Sequence, residues 1–256
     1  MAVAPDPRPW MTTVILLRHG RSTANTSGIL AGRTPGIHLD ETGRTQASSI
    51  ADRLADIGID RLVSSPLERC RQTLAPLAIA RGLTVEVDDR LAEVDYGDWT
   101  GRPLNELATE PLWRTVQHHA SATVFPGGES LAAVSTRAVA AVRDMLGPSG
   151  RGSDAGADGA VGTVLICSHG DVIKAVLADA LGLHLDSFQR IVVAPASLSV
   201  IRYTPLRPFV ERVNDTGELG SLGRHPVPKV QGDGAEARPV REGGDASEAV
   251  PGGVTG

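Results

Sequence analysis

The feature that most constrains this chain is the apolar run Val14–Leu17, which is followed at once by Arg18, His19 and Gly20. Four consecutive apolar residues, two of them β-branched, predict a strand that is buried on both faces. A guanidinium and an imidazole follow the strand, and ligands of α/β sheets bind at the carboxyl ends of strands. Gly20 allows the backbone to turn sharply there. The stretch therefore predicts an anion-binding site that contains a nucleophile.

A second apolar run has the same kind of ending. Residues Thr163–Cys167 predict another buried strand, and Ser168, His169 and Gly170 follow it. Because parallel strands present their carboxyl ends at one edge of a sheet, we expect His19 and His169 to lie close together. The backbone amide of Gly170 opens a predicted helix and adds partial positive charge at that edge.

Strands and helices alternate along most of the chain. This alternation predicts an α/β fold with three layers, α/β/α, around a mostly parallel central sheet. We predict that the irregular segment Leu104–Thr123 forms a lid over the site. The other predicted elements are strands at Arg61–Ser64, Thr84–Val87 and Ser197–Tyr203, and helices at Thr42–Gly58, after a capping Ser65, at Glu129–Leu146 and at Val172–Leu181.

The chain of 256 residues is expected to form one main domain over residues 13–213. Segments rich in Gly, Pro and acidic residues without apolar periodicity cannot bury enough surface to fold. On that ground we predict a flexible extension at 1–12, a flexible loop at 147–162 and a disordered tail at 214–256. Because the first residues show no structural pattern, we expect Met11 to be the natural start.

Composition limits the partners that this chain can have. The net charge is −5, so no general basic field attracts nucleic acid. The sequence contains no signal peptide and no apolar run of roughly 18 residues, which predicts a cytoplasmic protein without a membrane partner. Cys70 and Cys167 have no metal-pair spacing, and His-Glu-x-x-His is absent. We therefore expect buried thiols, no metal and no cofactor.

Several sequence blocks, in a fixed order, resemble the histidine phosphatase superfamily, the phosphoglycerate-mutase-like proteins of branch 1. The blocks are Arg18–Asn25, Ser64–Thr73, Leu91–Gly101, Gly127–Ser130 and Ser168–Gly170. The matches span Thr13–Tyr203, most of the predicted domain. The resemblance implies a phosphoglycerate-mutase-like fold and metal-independent phosphoryl transfer.

The residues present suit that chemistry. Phosphoryl transfer requires positive charge around the non-bridging oxygens, an in-line nucleophile and a proton for the leaving group. Arg18 and Arg69 offer planar, paired donors to phosphate. His19, as a neutral imidazole, can attack phosphorus and become phosphohistidine, with His169 beside it. These four residues are the predicted catalytic set.

The resemblance adds a proton donor and further phosphate contacts. Its acid residue corresponds to Glu93, which can act first as general acid and then as general base. Asp95 lies two residues away, and the sequence alone leaves it as an alternative. The phosphate contacts that the resemblance implies, besides Arg18, Arg69 and His169, are Asn25, Ala31, Gly32 and Gly170.

The sequence block that begins at Glu93 distinguishes the phosphatase branch of the family from the mutase branch. Mutases of this family carry Glu-Arg-His-Tyr-Gly in this block, followed by a lysine and later by an arginine pair. This chain has Glu-Val-Asp-Tyr-Gly at Glu93–Gly97, has Leu104 in place of the lysine, and has no arginine pair before Gly128. We therefore predict an acid-type phosphomonoesterase that hydrolyses a small-molecule phosphate ester through a phosphohistidine at His19. The alternatives are a 2,3-bisphosphoglycerate-dependent phosphoglycerate mutase and an inactive phospholigand-binding protein. The resemblance also allows a homodimer.

Overall fold

The computed structural model describes residues 11–146 and 162–217. The extension, loop and tail predicted from the sequence lie mostly outside these described residues. The predicted extension and tail each overlap a strand at one end. Residue 12 begins the first strand, and residues 214–215 end the last strand, so the predicted domain end at 213 falls inside a strand.

The centre of the described chain is a six-stranded sheet in the order β3-β2-β4-β1-β5-β6. Strands β1, β2, β3 and β4 run parallel to one another, whereas β5 is antiparallel to β1 and β6 is antiparallel to β5. The sheet is therefore mostly parallel, as predicted. The strands are β1 Thr12–Arg18, β2 Arg61–Ser64, β3 Val85–Val87, β4 Gly162–Ser168, β5 Leu198–Tyr203 and β6 Pro208–Asp215.

Helices cover both faces of the sheet. The helices are α1 Thr23–Ser27, α2 Glu41–Arg53, α3 Glu68–Arg81, α4 Leu104–Leu107, α5 Pro111–His118, α6 Leu131–Asp144 and α7 Gly170–Leu181. Short 3₁₀ turns lie at Asp89–Leu91, Gly97–Trp99, Ala120–Ala122 and Leu185–Arg190. This arrangement confirms the three-layer α/β/α fold.

The apolar run in β1 divides its side chains between the two layers of core. Val14 and Leu16 join the cluster that contains α6 and α7, while Ile15 and Leu17 join the cluster of α2 and α3. Alternate residues of a strand point to opposite faces, so a strand covered on both sides must be apolar at every position.

Two predicted helix features differ in the structure. The helix predicted at Thr42–Gly58 ends at Arg53, and Ile57, which was assigned to its apolar face, is 41% exposed. Ser65 does not cap the next helix, because α3 begins at Glu68 and its N-cap, Leu67, makes no side-chain cap hydrogen bond.

The start of α2 packs directly on the loop that follows β1. A Cβ at Gly43 would lie 1.9 Å from the Arg21 carbonyl oxygen, and one at Gly20 would lie 2.7 Å from the Gly43 carbonyl oxygen. The N-cap Asp40 accepts from the Gly43 amide at 2.7 Å and pairs with Arg21 Nε at 2.6 Å. The backbone of the loop therefore packs directly against the backbone of α2, and neither Gly20 nor Gly43 leaves room for a side chain.

We expect Gly43→Ala to lower the free energy of unfolding by about 2 kcal/mol or more, because the added methyl meets backbone atoms that cannot rotate away. Urea denaturation of the purified variant measures this loss. Gly58→Ala is the matched control, since a Cβ at exposed Gly58 meets no atom within 4 Å. Equal stability of the two variants would contradict the prediction.

Candidate active site

The structure brings the two predicted histidines together at the carboxyl edge of β1 and β4. The His19 amide donates to the Ser168 carbonyl at 3.0 Å, and the ring centroids of His19 and His169 lie 5.2 Å apart. Both side chains are buried. The parallel pairing of Arg18 with Ser168 places the two strand ends level, which is why residues distant in sequence meet.

The hydrogen bonding of His19 fixes its tautomer. Nδ1 lies 2.8 Å from the Gly20 carbonyl oxygen, and because a carbonyl only accepts, Nδ1 carries the proton. Nε2 then holds a lone pair. Burial and the charges of Arg69 and Arg18 hold the pKa of His19 well below its usual range. His19 is therefore a neutral imidazole whose Nε2 is available as a nucleophile.

Two buried arginines supply the positive charge at this site. Arg69, in the first turn of α3, donates from Nε to His19 Nε2 at 3.3 Å and from Nη2 to the Gly32 carbonyl at 2.9 Å. Its buried Nη1 has no hydrogen-bond partner among the described residues. Arg18 donates from Nη1 to the Val193 carbonyl at 2.7 Å, and burial lowers its pKa to about 10. A buried guanidinium donor without a protein partner, next to a nucleophile, is typical of a site that binds an anion.

Of the two carboxyl groups that the sequence left open, Glu93 lies in the site. Its Oε2 is 3.7 Å from His169 Nδ1, and its Oε1 accepts from the Val94 amide at 3.0 Å. Burial, followed by the nearby Asp171 carboxylate, raises the pKa of Glu93 to about 7. Asp95 instead bonds the Gly97 amide at 3.1 Å and does not line the cavity.

His169 is held from below by Ser65. The Ser65 hydroxyl lies 2.7 Å from His169 Nε2, and Cys70 Sγ lies 3.5 Å from the same nitrogen. Burial and the charge of Arg69 hold the pKa of His169 well below its usual range. This role of Ser65 could not be predicted from the sequence, because a serine before a helix is also the usual sign of an N-cap.

A cavity that is open to solvent lies beside His19. Its lining residues are His19, Ser22, Ala24, Asn25, Ile29, Leu30, Ala31, Gly32, Arg69, Glu93 and Tyr96. Thus Asn25, Ala31 and Gly32, predicted from the resemblance, all reach the cavity. Arg18, His169 and Gly170, which were also predicted as phosphate contacts, are buried and do not line the cavity.

The Asn25 side chain has a defined orientation at the cavity wall. Its Oδ1 accepts from the Ser22 amide at 3.0 Å and from the Ser22 hydroxyl at 2.8 Å. Since a backbone amide only donates, the oxygen must face Ser22. The side-chain nitrogen Nδ2 of Asn25 makes no hydrogen bond within the part of the chain that the structure describes, and it can donate to a ligand.

The predicted lid at Leu104–Thr123 is wrong. None of these residues lines the cavity, and Leu107, Trp113 and Val116 are buried in the core cluster on the α6 side of the sheet. The ring centroids of Trp113 and Trp99 stack 6.2 Å apart. Irregular spacing in the sequence here reflects short helices packed on the core.

A group of charged residues that the sequence analysis did not assign holds the backbone of Glu93. Arg33 Nε and Arg137 Nη2 donate to the Glu93 carbonyl at 2.8 and 3.1 Å. Glu129 Oε1 accepts from Arg33, from Arg137 and from the Asp95 amide at 2.7–2.8 Å. We call Arg33, Glu129 and Arg137 the Glu93 clamp. Glu129 lay in a matching block, but nothing marked Arg137.

A second unassigned network lies beneath the site. The Tyr96 hydroxyl donates to Asp171 Oδ2 at 3.0 Å, and Lys174 Nζ lies 3.5 Å from Asp171 Oδ1 and 2.9 Å from Gln189 Oε1. Asp171 directly follows Gly170 at the start of α7, where a carboxylate is favoured by the helix dipole. The network fixes the face that Tyr96 presents to the cavity.

The sequence profile of the histidine phosphatase superfamily, branch 1, matches residues 14–216, which include every group of this site. The chain belongs to this superfamily. Within the described residues of this histidine phosphatase superfamily member, no cluster of three or more His, Cys, Asp or Glu is arranged to hold a metal ion. None of the helices in the described ranges has the length and hydropathy that a membrane crossing requires.

Relatives in the superfamily include phosphatases and a probable mutase. Phosphoserine phosphatase 1 of Hydrogenobacter thermophilus is 31% identical over 215 residues, which cover 83% of this chain and 96% of that protein. A probable phosphoglycerate mutase of Yersinia pestis is 32% identical over 196 residues, covering 75% of this chain and 86% of the relative. Mycobacterial glucosyl-3-phosphoglycerate phosphatase has a TM-score of 0.69 at 26% identity, covering 80% of this chain and 100% of that structure.

Other relatives match over only part of their length. An uncharacterized protein of Mycobacterium tuberculosis is 47% identical over 85 residues, and the match spans 33% of this chain and 42% of that relative. The family is established by the profile match and by the phosphoserine phosphatase relative, and the structural neighbour supports the fold.

Proposed function

We propose that this superfamily member hydrolyses small-molecule phosphate monoesters through a phosphohistidine at His19. The observation that carries the proposal is the His19 Nε2 lone pair, which accepts a hydrogen bond from Arg69 Nε at 3.3 Å, beside an Arg69 Nη1 that has no partner among the described residues. A phosphoryl group placed there meets a nucleophile and a free donor together.

In the first step, His19 Nε2 attacks phosphorus and a nitrogen–phosphorus bond forms. The phosphorus–oxygen bond to the alcohol breaks, and Glu93 gives its proton to the departing oxygen. Arg69 Nη1 and Asn25 Nδ2 donate to non-bridging oxygens. The buried Arg18 cation stabilises the growing negative charge through space, and the backbone at Ala31 and Gly32 borders the phosphate site. His169 lies 3.7 Å from the Glu93 carboxyl and positions it.

In the second step, Glu93, now a carboxylate, removes a proton from water. The water oxygen attacks phosphorus, the bond to His19 Nε2 breaks, and phosphate leaves. Glu93 regains its proton and His19 its lone pair, so the cycle closes. A pKa of Glu93 near 7 suits a group that must both give and take a proton near neutral pH.

The test is hydrolysis of p-nitrophenyl phosphate from about pH 4 to about pH 8, followed by rapid quenching with radiolabelled substrate. We expect phosphate release and an acid-labile, alkali-stable phosphoprotein. Binding of phosphate without turnover would favour the inactive phospholigand-binding alternative and overturn the proposal.

The similarity to a probable mutase supports one second candidate, 2,3-bisphosphoglycerate-dependent phosphoglycerate mutase. That reaction needs cations for the second anionic group of its substrate, and Arg69 is the one cationic side chain among the described cavity-lining residues. Interconversion of 3- and 2-phosphoglycerate that requires 2,3-bisphosphoglycerate, at a rate above phosphate release, would favour the mutase.

Removing the Glu93 clamp is expected to weaken catalysis without removing a reacting group. Arg137→Met deletes donors to the carbonyls of Arg90, Ala92 and Glu93, so the Glu93 segment loses its fixed position. We expect kcat to fall about tenfold to 100-fold, with a changed pH profile. Arg143→Met is the control, because Arg143 is exposed on the same helix and, among the described residues, pairs with Asp179 away from Glu93. An unchanged kcat and pH profile in Arg137→Met would contradict the prediction.

A further inference from the structure

The lining of the cavity beside His19 falls into two chemically different sets. The reacting set is His19, Arg69 and Glu93. The remaining lining residues, of which Asn25, Ala31 and Gly32 border the phosphate site, carry no formal charge: Ser22, Ala24, Asn25, Ile29, Leu30, Ala31, Gly32 and Tyr96. We call this second set the neutral wall.

The polar atoms of the neutral wall are largely satisfied within the protein. The Ser22 hydroxyl and Asn25 bond each other in a capping box at the start of α1. The Tyr96 hydroxyl donates to Asp171, which lies beneath the site, so the phenol presents its ring rather than its oxygen. What faces the alcohol is therefore mainly the apolar surface of Ala24, Ile29 and Leu30.

The arginines next to the neutral wall in sequence are already engaged. Arg33 follows Gly32, but its Nη2 pairs with Glu129 at 2.8 Å and its Nε donates to the Glu93 carbonyl. Arg21 precedes Ser22, and it pairs with Asp40 at 2.6 Å and donates to Thr42 at 2.7 Å. Each would have to break these bonds before it could receive a carboxylate or a second phosphate.

We propose that the neutral wall selects phosphomonoesters whose alcohol bears no second anionic group. The inference rests on the proposed phosphatase function. A carboxylate placed against Ala24, Ile29 and Leu30 would lose hydration without gaining a cation, and this loss penalises binding. An uncharged alcohol meets no such penalty, so the same site discriminates between two esters that differ only in charge.

Glycerol 3-phosphate and 3-phosphoglycerate provide that comparison, because one carries a CH₂OH group where the other carries a carboxylate. We expect kcat/KM of the unmodified protein to be at least about tenfold higher for glycerol 3-phosphate. Equal values, or a preference for 3-phosphoglycerate, would overturn the inference while His19-dependent hydrolysis of p-nitrophenyl phosphate still supported the phosphatase. Absence of all three hydrolyses would overturn the proposed function, and this inference with it.

A cation introduced into the neutral wall tests whether the missing positive charge causes the preference for glycerol 3-phosphate. Ile29→Arg replaces a half-buried lining residue, and we expect it to raise relative use of 3-phosphoglycerate about tenfold. Ser27→Arg is the matched control, since Ser27 is exposed on α1, lies outside the cavity lining and should leave the ratio unchanged. A ratio that moves equally in both variants, or in neither folded variant, would overturn the role of the neutral wall.

Discussion

Replacing His19 by Ala is expected to lower kcat for p-nitrophenyl phosphate by about 10⁴-fold or more, because the variant has no atom to accept the phosphoryl group. The neighbouring Arg69 and Glu93 cannot compensate, since the first is a cation without a lone pair and the second is needed as a proton carrier. Steady-state assays against the unmodified protein measure the loss. His118→Ala, at an exposed histidine outside the site, should retain full activity.

The same variant should form no phosphoprotein after rapid quenching. A phosphorylated His19→Ala protein would mean that another residue is the nucleophile. Since His169 is buried with its Nε2 against Ser65, the structure offers it no route to phosphorus. Retained hydrolysis without phosphoprotein would instead indicate direct attack by water, and either result would reject the proposed covalent mechanism.

The second large effect is expected at Glu93. Glu93→Gln keeps the shape of the side chain but can neither give nor take a proton, so we expect about 10²- to 10⁴-fold lower kcat for alkyl phosphates. The loss should be smaller in the first step with p-nitrophenyl phosphate, because p-nitrophenolate leaves without a proton. A burst of p-nitrophenol followed by slow release of phosphate would show that the second step is blocked.

The pH dependence follows from the same carboxyl group. Burial and Asp171 raise the pKa of Glu93 to about 7, so the protonated acid is abundant below that pH and is lost above it. For alkyl phosphates, kcat/KM should therefore fall as the pH rises through about 7, and Glu93→Gln should lack this decline. Asp95→Asn is the control, as the new amide oxygen can still accept from Gly97. A pH decline that moves with Asp95 would assign the acid to that residue instead.

The fold and the meeting of the two histidines could be predicted because both depend on short-range patterns. An apolar run such as Val14–Leu17 requires burial on both faces, and burial on both faces requires a sheet covered by helices. Once two such strands are parallel, Arg18, His19 and His169 must share one edge. Residue type and strand polarity are sufficient for this step.

Other parts of the structure depend on partners that local patterns do not specify. Strand β6 mixes Phe209 and Val213 with charged residues at the edge of the sheet, so it shows no buried face. Ser65 has the sequence context of a helix cap, yet its hydroxyl instead bonds the buried imidazole of His169, which follows β4. Arg137 looks like an ordinary helical charge, and only the folding of three separate segments brings it to the Glu93 carbonyl.

The contact between α2 and the loop after β1 bears on the order of events in refolding. Gly20 touches Gly43 of α2, the Arg21 amide donates to Gln46 of α2 at 2.8 Å, and the Gly20 amide donates to Thr73 of α3 at 2.9 Å. The Gly20 carbonyl, which sets the His19 tautomer, is thus oriented only after these helices dock. During refolding, enzymatic turnover should therefore recover later than the strand signal in circular dichroism. The time at which turnover recovers would then report when the helices dock.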